Sequence, residues 1–464
     1  MPRVVAISNR TAVDPASRTG AASRAGGLSV AVGDALRASG GSWVGWSGAT
    51  VEDAPRGATV IEDDGVEYVL TDLTEEEHDG YYISYANRNI WPIFHYRVDL
   101  ASFDSEAFDI YAAVNQRFAK LVLPRLNDGD IVWVHDYHFL LMGDCLRRVG
   151  WRGPVGFFLH IPFPAPEIFR ALPEHAQIAR AMCAYDVIGF QADRDRLNFV
   201  RYLIEDHGAA ELEDRRVRVF NNVVKIETYP IGIDAEQVAE LAVSDAARDA
   251  SERIGRFLGG RTFAIGVDRM DYSKGLPERF EAVGKLFDAY PETRGKLSVT
   301  QVAPPSRSKV EEYQELRMQL DQLAGRINGD YGDLDWIPLR YLARSFSREQ
   351  LTGLFRIAQV GLVTPLRDGM NLVCKEFVMA QDGDDPGVLI LSEFAGAAER
   401  LRGALVVNPH NTAAVAEAMH RALNMPLDQR IARWERLRST IVEEDIAWWR
   451  ERFLNDLAQA APVS

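Results

Sequence analysis

The chain contains the stretch Pro365-Leu366-Arg367-Asp368-Gly369-Met370-Asn371-Leu372-Val373-Cys374-Lys375-Glu376. A short apolar run, Val360 to Val363, precedes it, and a run compatible with a helix, Leu372 to Ala380, follows it. The glycine lets the backbone approach a ligand, and the start of the helix offers N–H groups to an anion. Asp368 and Glu376, about two helical turns apart, suit a sugar hydroxyl and a ribose. An isolated acid-glycine turn also occurs in any α/β protein, so the rest of the chain decides between the two interpretations.

Length and composition are those of a globular protein with more than one domain. The chain has 464 residues, of which 47% are hydrophobic and 26% charged, and this length predicts two domains. Near its start, only Val4 to Ile7 form an apolar run, which is too short for a signal peptide, and no run is long enough to span a bilayer. Three cysteines, Cys145, Cys183 and Cys374, lack metal-ligand spacing and predict reduced thiols in a cytoplasmic protein.

The net charge limits the classes of partner. Acidic residues outnumber basic ones by 67 to 52, which gives a formal charge of −15 and a pI near 5.2. A protein this acidic repels nucleic acid and anionic membrane surfaces. We therefore expect neither as a partner, and any phosphate ligand must be held by particular cations and helix N-termini.

Short apolar strands alternate with helical patterns in the first half and predict a doubly wound parallel sheet. The predicted strands are Arg3 to Ser8, Ile131 to His135, Val155 to His160 and Val187 to Phe190. Ligands bind at the carboxyl ends of strands in such sheets. The polar residues at these ends are Asn9-Arg10, His135-Asp136-Tyr137-His138 and His160. A histidine at a strand end is about as often a structural hydrogen-bonding group as a functional one.

Two further segments of the first half have open interpretations. Gly26-Gly27 precede a helical run, which fits a phosphate site, although a lone glycine pair is more often a flexible turn. Neither G-x-G-x-x-G nor a Walker motif occurs. The segment from Tyr81 to Tyr96 is rich in aromatic residues and is expected to be a loop. Its rings would either stack on a sugar or pack on the core.

The second half begins a new series of strands and helices after Tyr229-Pro-Ile-Gly-Ile-Asp234. The predicted strands are Phe263 to Val267, Leu297 to Val302, Val360 to Val363, Val388 to Leu391 and Leu405 to Val407. Arg269 and Lys274 flank a turn after the first of these, where two cations suit a diphosphate. Arg307 follows the second strand. Polar and charged residues thus follow strands in both halves of the chain, which predicts a ligand-binding cleft between the two domains. The final segment, Ile441 to Leu454, predicts one helix with an aromatic stripe.

Metal catalysis is the first alternative chemistry. The chain has Asp-x-Asp pairs at Asp128/Asp130, Asp193/Asp195, Asp333/Asp335 and Asp382/Asp384. With 67 acidic residues, chance pairs are expected, and we interpret all four as structural. The motifs H-E-x-x-H and G-x-S-x-G are absent from the sequence. We expect no metal and no cofactor, with Arg269 and Lys274 neutralising a diphosphate in the metal's place.

Taken together, the motifs resemble glycosyltransferase family 20, the trehalose-6-phosphate synthases. The segments that carry the resemblance are Ser8-Asn-Arg10, Ala25-Gly-Gly-Leu28, Gly45-Trp-Ser-Gly48, Asn89-Ile-Trp-Pro92, His135-Asp-Tyr-His138, Phe157-Phe-Leu-His-Ile-Pro-Phe-Pro164, Tyr229-Pro-Ile-Gly-Ile233, Arg269-Met-Asp-Tyr-Ser-Lys-Gly275 and Arg367-Asp-Gly-Met-Asn-Leu372. They are collinear over nearly the whole chain. No phosphatase domain follows, so the chain resembles the short bacterial members.

The resemblance implies a GT-B fold, in which two Rossmann-like doubly wound domains face across a cleft. Residues 1–234 would bind the acceptor sugar phosphate, 235–440 the nucleotide sugar, and 441–464 would form a helix packing back across the domain interface. The implied reaction transfers glucose from UDP-glucose to glucose-6-phosphate, with retention at the donor carbon. It would serve trehalose biosynthesis and osmoprotection.

The resemblance also implies a role for particular residues. Those expected to bind glucose-6-phosphate are Arg10, Tyr82, Trp91, Asp136 and Arg307, with the two arginines on its phosphate. Those expected to bind the donor are Gly26, Gly27, Arg269, Lys274, Phe346, Met370, Asn371, Leu372, Val373 and Glu376, with Phe346 at the uracil and Glu376 at the ribose. His160 and Asp368 would hold the donor glucose and, with Arg269 and Lys274, form the catalytic set.

Several questions stay open at this point. Rival functions are a pseudo-glycosyltransferase for cyclitol substrates and a catalytically silent sensor of sugar phosphates. The intact acceptor and donor motifs argue against both. The choice among UDP-, GDP- and ADP-glucose cannot be read from side chains, because backbone near Phe346 is expected to contact the base. Oligomeric state, homo-oligomers included, and effector control also stay open.

Overall fold

The structure, a computed structural model, describes residues 2–13, 27–53, 55, 57–306 and 311–460, and for residues 27–31 and 311 it describes only the backbone. The chain divides into two compact units. Unit 1 comprises Met1–Ile231 and Ala447–Ser464, and unit 2 comprises Gly232–Ile446. Each unit is an α/β structure built on one sheet.

Unit 1 has a mixed sheet with a long parallel centre. Its strands are β1 Val4–Arg10, β2 Ser42–Val51, β3 Thr59–Asp63, β4 Val66–Thr74, β5 Ile131–His135, β6 Val155–Phe158, β7 Val187–Phe190, β8 Ala210–Glu211, β9 Arg216–Val219 and β10 Asn222–Thr228. Their order is β3-β4-β2-β1-β5-β6-β7-β10-β9-β8. Pairing is parallel from β4 to β10 and antiparallel at both edges. The chain leaves β1 toward β2 and later returns to β5 on its other side, so a topological switch point lies between β1 and β5.

Helices connect these strands. They are α1 Gly27–Ser39, α2 Glu75–Glu77, α3 Trp91–Phe94, α4 Ser105–Val122, α5 Met142–Arg148, α6 Pro166–Phe169, α7 His175–Met182 and α8 Asp193–His207. A π-helix, His78–Ile90, joins α2 to α3. The expectation of a loop at Tyr81 to Tyr96 is therefore wrong for most of that segment. A capping box at Thr74 and Glu77 starts the helical path, and buried Tyr81 and Tyr85 anchor it to the core.

Unit 2 has the strand order of a dinucleotide-binding fold. Its strands are β11 Thr262–Val267, β12 Leu297–Val302, β13 Leu339–Leu342, β14 Val360–Val363, β15 Val388–Ser392 and β16 Leu405–Val407. All pair in parallel, in the order β13-β12-β11-β14-β15-β16. This is the 3-2-1-4-5-6 arrangement, with its switch point between β11 and β14. Its helices are α9 Ala235–Ala242, α10 Asp245–Leu258, α11 Leu276–Ala289, α12 Glu311–Tyr331, α13 Arg348–Arg356, α14 Leu372–Ala380, α15 Thr412–Leu423 and α16 Leu427–Glu443.

The C-terminal segment is broken where one helix was predicted. Helix α16 ends at Glu443 and α17 spans Ile446–Ala458, because the Ile446 N–H donates to the Ile233 carbonyl (3.1 Å) and not to a helical partner. Most of α17 belongs to unit 1. There the fully buried Trp449 ring lies 5.2 Å from Trp133 and 5.0 Å from Phe158.

No helix in the described ranges is long and apolar enough to cross a membrane. The three cysteines are buried and none forms a disulfide.

Candidate active site

In unit 1, the predicted acceptor residue Arg10 lies at the switch point. It ends β1, is exposed, and places its guanidinium 5.3 Å from the centre of the Trp46 ring. Gly48 lies against the same guanidinium, with φ +95°. A Cβ at Gly48 would lie only 2.0 Å from Arg10 Nη1, so a side chain there would displace the guanidinium, and the backbone angle itself favours glycine.

Tyr82 joins this group through Trp46. The two rings lie 5.5 Å apart, and Tyr82 also stacks on His138 at 5.8 Å. Trp46 was quoted in a motif but given no role in the sequence analysis. Its signal was its place in a segment that carries the family resemblance, and in the structure its ring lies close to both the Arg10 guanidinium and the Tyr82 ring.

Asp136 and His160 meet on the other side of the switch point. Asp136 follows β5 with φ +74°, a strained angle for a residue with a side chain. Its Oδ1 accepts a hydrogen bond from the His160 backbone N–H (3.3 Å). Trp91, the remaining predicted acceptor residue in unit 1, is only 4% exposed and stacks on His95 at 4.1 Å.

His160 has a histidine partner that the sequence analysis did not assign. His135 Nδ1 lies 3.2 Å from His160 Nε2, so one ring donates to the other. Burial lowers the pKa of His160 to about 3. Burial also lowers the pKa of the fully buried His135, and the proximity of His160 lowers it further. Both rings are therefore neutral near pH 7, and the pair holds a polar but uncharged group at the ends of β5 and β6.

In unit 2, the loops after β11 and β14 meet at the switch point. Lys274 Nζ donates to Asp368 Oδ2 (2.5 Å), and both side chains are largely buried. Asn371 supports the acid, since its Nδ2 donates to the same oxygen (3.1 Å). Two residues far apart in sequence are thus joined where the fold predicts a ligand.

The backbones of the two loops are also in direct contact. Leu366 N–H donates to the Ser273 carbonyl (2.8 Å). Gly275 has φ +63°, and a Cβ there would lie 2.5 Å from the Thr364 carbonyl oxygen. Glycine is therefore required for this contact, which holds Lys274 against the end of β14.

A buried polar network fixes the start of the first loop. Arg279 donates to Asp268 Oδ2 (2.7 Å), Gln301 Oε1 (2.8 Å) and Thr364 Oγ1 (2.9 Å). Burial raises the pKa of Asp268, and Arg279 opposes that shift. Arg269 follows Asp268 and points outward: its side chain is 42% exposed, with Nη2 3.4 Å from Asp271 Oδ2. The network leaves Arg269 accessible beside the buried Lys274.

Arg279 was missed in the sequence analysis. Its signal was a charged residue on the apolar face of α11, three positions after Leu276 and four before Val283.

Helix α14 begins directly beyond this pair. Asn371 caps it, with Oδ1 accepting from the Cys374 N–H (3.1 Å), and the next residues, Leu372 and Val373, form its first turn. Further along, Glu376 lies 3.4 Å from Arg348 Nη2, and burial raises the pKa of its carboxyl group. Met370 is buried, and its carbonyl accepts from the Ala397 N–H (3.0 Å).

The other predicted donor residues are less closely connected. Phe346 lies in the turn after β13, with the Arg344 guanidinium 4.6 Å from its ring centre. Gly27 is the first residue of α1. Gly26 and Arg307 lie outside the described residues.

Across the described ranges, no group of three or more histidine, cysteine or acidic residues could hold a metal ion. Asp130, from one Asp-x-Asp pair, accepts from Arg3 Nη1 (2.8 Å).

The chain is similar to proteins of known activity over its full length. The family model of glycosyltransferase family 20 matches residues 2–459. A trehalose-6-phosphate synthase of Klebsiella pneumoniae subsp. pneumoniae is 45% identical over 464 residues, covering 100% of this chain and 97% of the relative.

Two solved structures of similar chains hold ligands. One, described as "Trehalose-6-phosphate from E. coli bound with UDP-2-fluoro glucose", has a TM-score of 0.94 at 44% identity and covers 99% of this chain and 100% of its own. The other is a UDP-forming α,α-trehalose-phosphate synthase from Burkholderia xenovorans in complex with glucose-6-phosphate. It has a TM-score of 0.93 at 41% identity and covers 98% of this chain and 99% of its own.

Proposed function

Because this chain belongs to glycosyltransferase family 20, we propose that it transfers glucose from UDP-glucose to glucose-6-phosphate, giving α,α-trehalose-6-phosphate and UDP. The family predicted from the motifs is confirmed, and with it the GT-B fold of two Rossmann-like domains. Relatives that share more than two-fifths of its residues bind a fluorinated UDP-glucose and glucose-6-phosphate, so the substrates are a nucleotide sugar and a sugar phosphate.

The observation that carries the donor half of the proposal is the Lys274–Asp368 pair at the switch point of unit 2. The departing UDP gains negative charge as the bond to glucose breaks, and preorganised cations stabilise such charge most strongly where water is excluded. Lys274 is buried and Arg269 is exposed beside it, so together they suit the two phosphates. Asp368 would turn to a glucose hydroxyl once the diphosphate takes its place beside Lys274.

For the acceptor, we place Arg10 and Arg307 at the phosphate of glucose-6-phosphate. Tyr82 and Trp91 would contact the sugar, and Asp136 a hydroxyl. The Arg10 guanidinium is already oriented by Trp46, which reduces the entropy lost when it binds a phosphate in bidentate fashion.

For the donor, the amides of Met370 and Asn371, which precede α14, and of Leu372 and Val373 in its first turn would meet the glucose and phosphates. Gly26 and Gly27 would approach the diphosphate. Glu376 would accept hydrogen bonds from the ribose hydroxyls, and Phe346 would lie beside the uracil. His160, neutral because of burial, would hydrogen-bond a hydroxyl of the donor glucose.

We propose a single-step transfer with retention. The bond between the anomeric carbon and the UDP oxygen breaks, and the anomeric hydroxyl oxygen of glucose-6-phosphate bonds to the same face of that carbon. The hydroxyl proton passes to the departing phosphate oxygen. Asp368 is already engaged by Lys274 and Asn371, which fits a positioning role better than that of a nucleophile.

Nucleotide release tests the proposal. Purified protein is incubated with glucose-6-phosphate and UDP-, GDP- or ADP-glucose, while released nucleotide and the disaccharide phosphate are quantified. We expect stoichiometric UDP and trehalose-6-phosphate. Release that requires a cyclitol phosphate would instead support the pseudo-glycosyltransferase, and binding of glucose-6-phosphate without any release would support the sensor. We further propose a cytoplasmic location, where its two substrates are made, and leave the oligomeric state to sedimentation analysis.

A further inference from the structure

Unit 2 contains a cavity of about 440 Å³ beside its edge strand β13. Helices α10 and α13 form its other walls. Three arginines line it: Arg253 from α10, Arg340 from β13 and Arg344 from the turn that follows β13. The volume lies within the range of small-molecule sites.

The charge in this cavity is uncompensated. Among the described residues, no aspartate or glutamate lines it, and none of the three guanidiniums has a carboxylate within 4.0 Å. Burial lowers the pKa of Arg340, and the positive charges of Arg344 and Arg253 lower it further. Arg253 and Arg344 are exposed and Arg340 is half-buried, so three positive charges lie close together on a chain whose formal charge is −15.

Two other features indicate a ligand. Thr300, on β12, lines the cavity, is 1% exposed, and has a buried hydroxyl oxygen with no hydrogen-bond partner among the described residues. Buried polar groups are almost always satisfied, so an unpartnered hydroxyl on a residue that lines the cavity indicates a missing polar partner there. The Arg340 guanidinium also lies 4.6 Å from the centre of the Phe257 ring, a cation–π contact that restrains it at the wall of the cavity.

We propose that this cavity binds a small anion that carries two phosphate groups, gripped by Arg253, Arg340 and Arg344. Guanidinium groups match phosphate oxygens in bidentate geometry, and three of them suit a ligand with more than one phosphate. The site is distinct from the proposed diphosphate site, because that site uses Arg269 and Lys274 in the loop after β11. Phe346 lines the cavity and is also the proposed neighbour of the uracil.

Calorimetric titration with inorganic pyrophosphate tests the site. The protein is first saturated with UDP and glucose-6-phosphate, so that the proposed donor and acceptor phosphate sites are occupied. We expect one remaining pyrophosphate site whose affinity falls as NaCl is raised. Arg340→Gln and Arg253→Gln should each weaken it about tenfold or more, since each removes charge-assisted hydrogen bonds. Arg256→Gln is the matched control, because it removes the same charge from α10 at a position that does not line the cavity.

Each outcome of this titration decides the proposal. Arg340→Lys keeps the charge but loses the planar guanidinium group, so it should bind pyrophosphate with an affinity between those of the wild type and Arg340→Gln. It also replaces Arg340→Gln as the test if that variant does not fold. Repeating the titration with a hexose bisphosphate identifies whether the site prefers an inorganic or an organic ligand; tighter binding of either supports it. Absence of any pyrophosphate binding at millimolar concentration, or equal weakening by Arg256→Gln, would overturn it. UDP release in the absence of pyrophosphate should survive all these substitutions, so the proposed transferase function is judged separately.

Discussion

Replacing Lys274 by methionine separates the structural role of its ion pair from its catalytic role. Lys274→Met keeps the length of the side chain and removes the ammonium group. It leaves Asp368, whose side chain is 14% exposed, with its Asn371 hydrogen bond but without its cation. An uncompensated, largely buried carboxylate is destabilising, and breaking such a pair typically costs 3–5 kcal/mol. Because the Asn371 hydrogen bond and some contact with solvent remain, we expect Lys274→Met to lower the free energy of unfolding by about 3 kcal/mol, the lower end of this range.

The double variant Lys274→Met/Asp368→Asn gives the sharper expectation. It removes both charges together, so no buried charge is left unpaired. We expect its loss of unfolding free energy to be about 2 kcal/mol smaller than the sum of the losses in the two single variants, a coupling energy typical of contacting groups. Turnover should behave differently, because no cation returns: both Lys274→Met and the double variant should lose about 10²–10³-fold in kcat.

Two measurements check this separation. Native-state hydrogen exchange of the β11 and β14 amides reports the local stability of unit 2, and UDP release reports turnover. Lys285→Met is the control, since Lys285 Nζ also donates a hydrogen bond in unit 2, to Thr412 Oγ1 (2.5 Å), but lies away from the switch point. If the double variant regained turnover along with stability, Lys274 would be a structural residue and the assignment of the diphosphate site would be refuted.

Three further expectations follow from the two units. Because burial holds the pKa of His160 at about 3 and lowers that of His135, the unfolded chain takes up protons first as the pH falls below about 6.5. Unit 1 should therefore lose about 2 kcal/mol of unfolding free energy between pH 7 and pH 5 through His160, and a further amount through His135. His135→Asn should lose less than the wild type in urea unfolding; equal losses would contradict this. Glu376→Gln should raise the KM for UDP-glucose about tenfold and leave that for glucose-6-phosphate unchanged, as one lost pair of charged hydrogen bonds predicts, and steady-state kinetics with either substrate varied would expose the opposite pattern. Arg10→Ala should raise the KM for glucose-6-phosphate by about tenfold or more, and a change confined to the donor KM would remove Arg10 from the acceptor site.

Most of the parallel strands were predictable because both of their faces are buried, although β2, β4 and β10 were not predicted. Val360–Val363 is a continuous apolar run in the sequence, and all four residues are buried in the structure. Strand β13, Leu339–Leu342, was missed because it lies at the edge of the sheet, where arginine and tyrosine interrupt the apolar pattern.

The helical segment after β4 was missed for a different reason. Its buried aromatic and aliphatic residues are Tyr81, Tyr85, Ala86, Ile90, Trp91, Ile93 and Phe94. The large ones within the π-helix, Tyr81, Tyr85 and Ile90, lie four and five residues apart. A regular α-helix repeats every 3.6 residues, whereas the wider turn of a π-helix accommodates this longer spacing. A search for α-helical periodicity therefore sees only an aromatic cluster.

The site shows the same division between local and non-local information. The turn at Lys274 and the turn at Asp368 are each visible as a polar segment after an apolar strand. Their contact is not, because it depends on the order of the strands in the sheet. The family resemblance assigned both residues to the donor site, while the partners that hold the site in place, Arg279 and His135, follow only from the packing.

The two switch points share one backbone feature that connects fold and chemistry. In each unit, the strand across the switch point from the first strand leads into a residue with a left-handed backbone: Asp136 after β5, with φ +74°, and Asn371 after β14, with φ +73°. Neither is a glycine, so each angle costs about 1 kcal/mol or more. Each side chain uses that angle to bond nearby polar groups, Asp136 to the His160 N–H and Asn371 to the Cys374 N–H and Asp368. The strain is thus offset locally at the two positions where a turned backbone brings polar groups to the end of the sheet, which is where a transferase must grip its substrates.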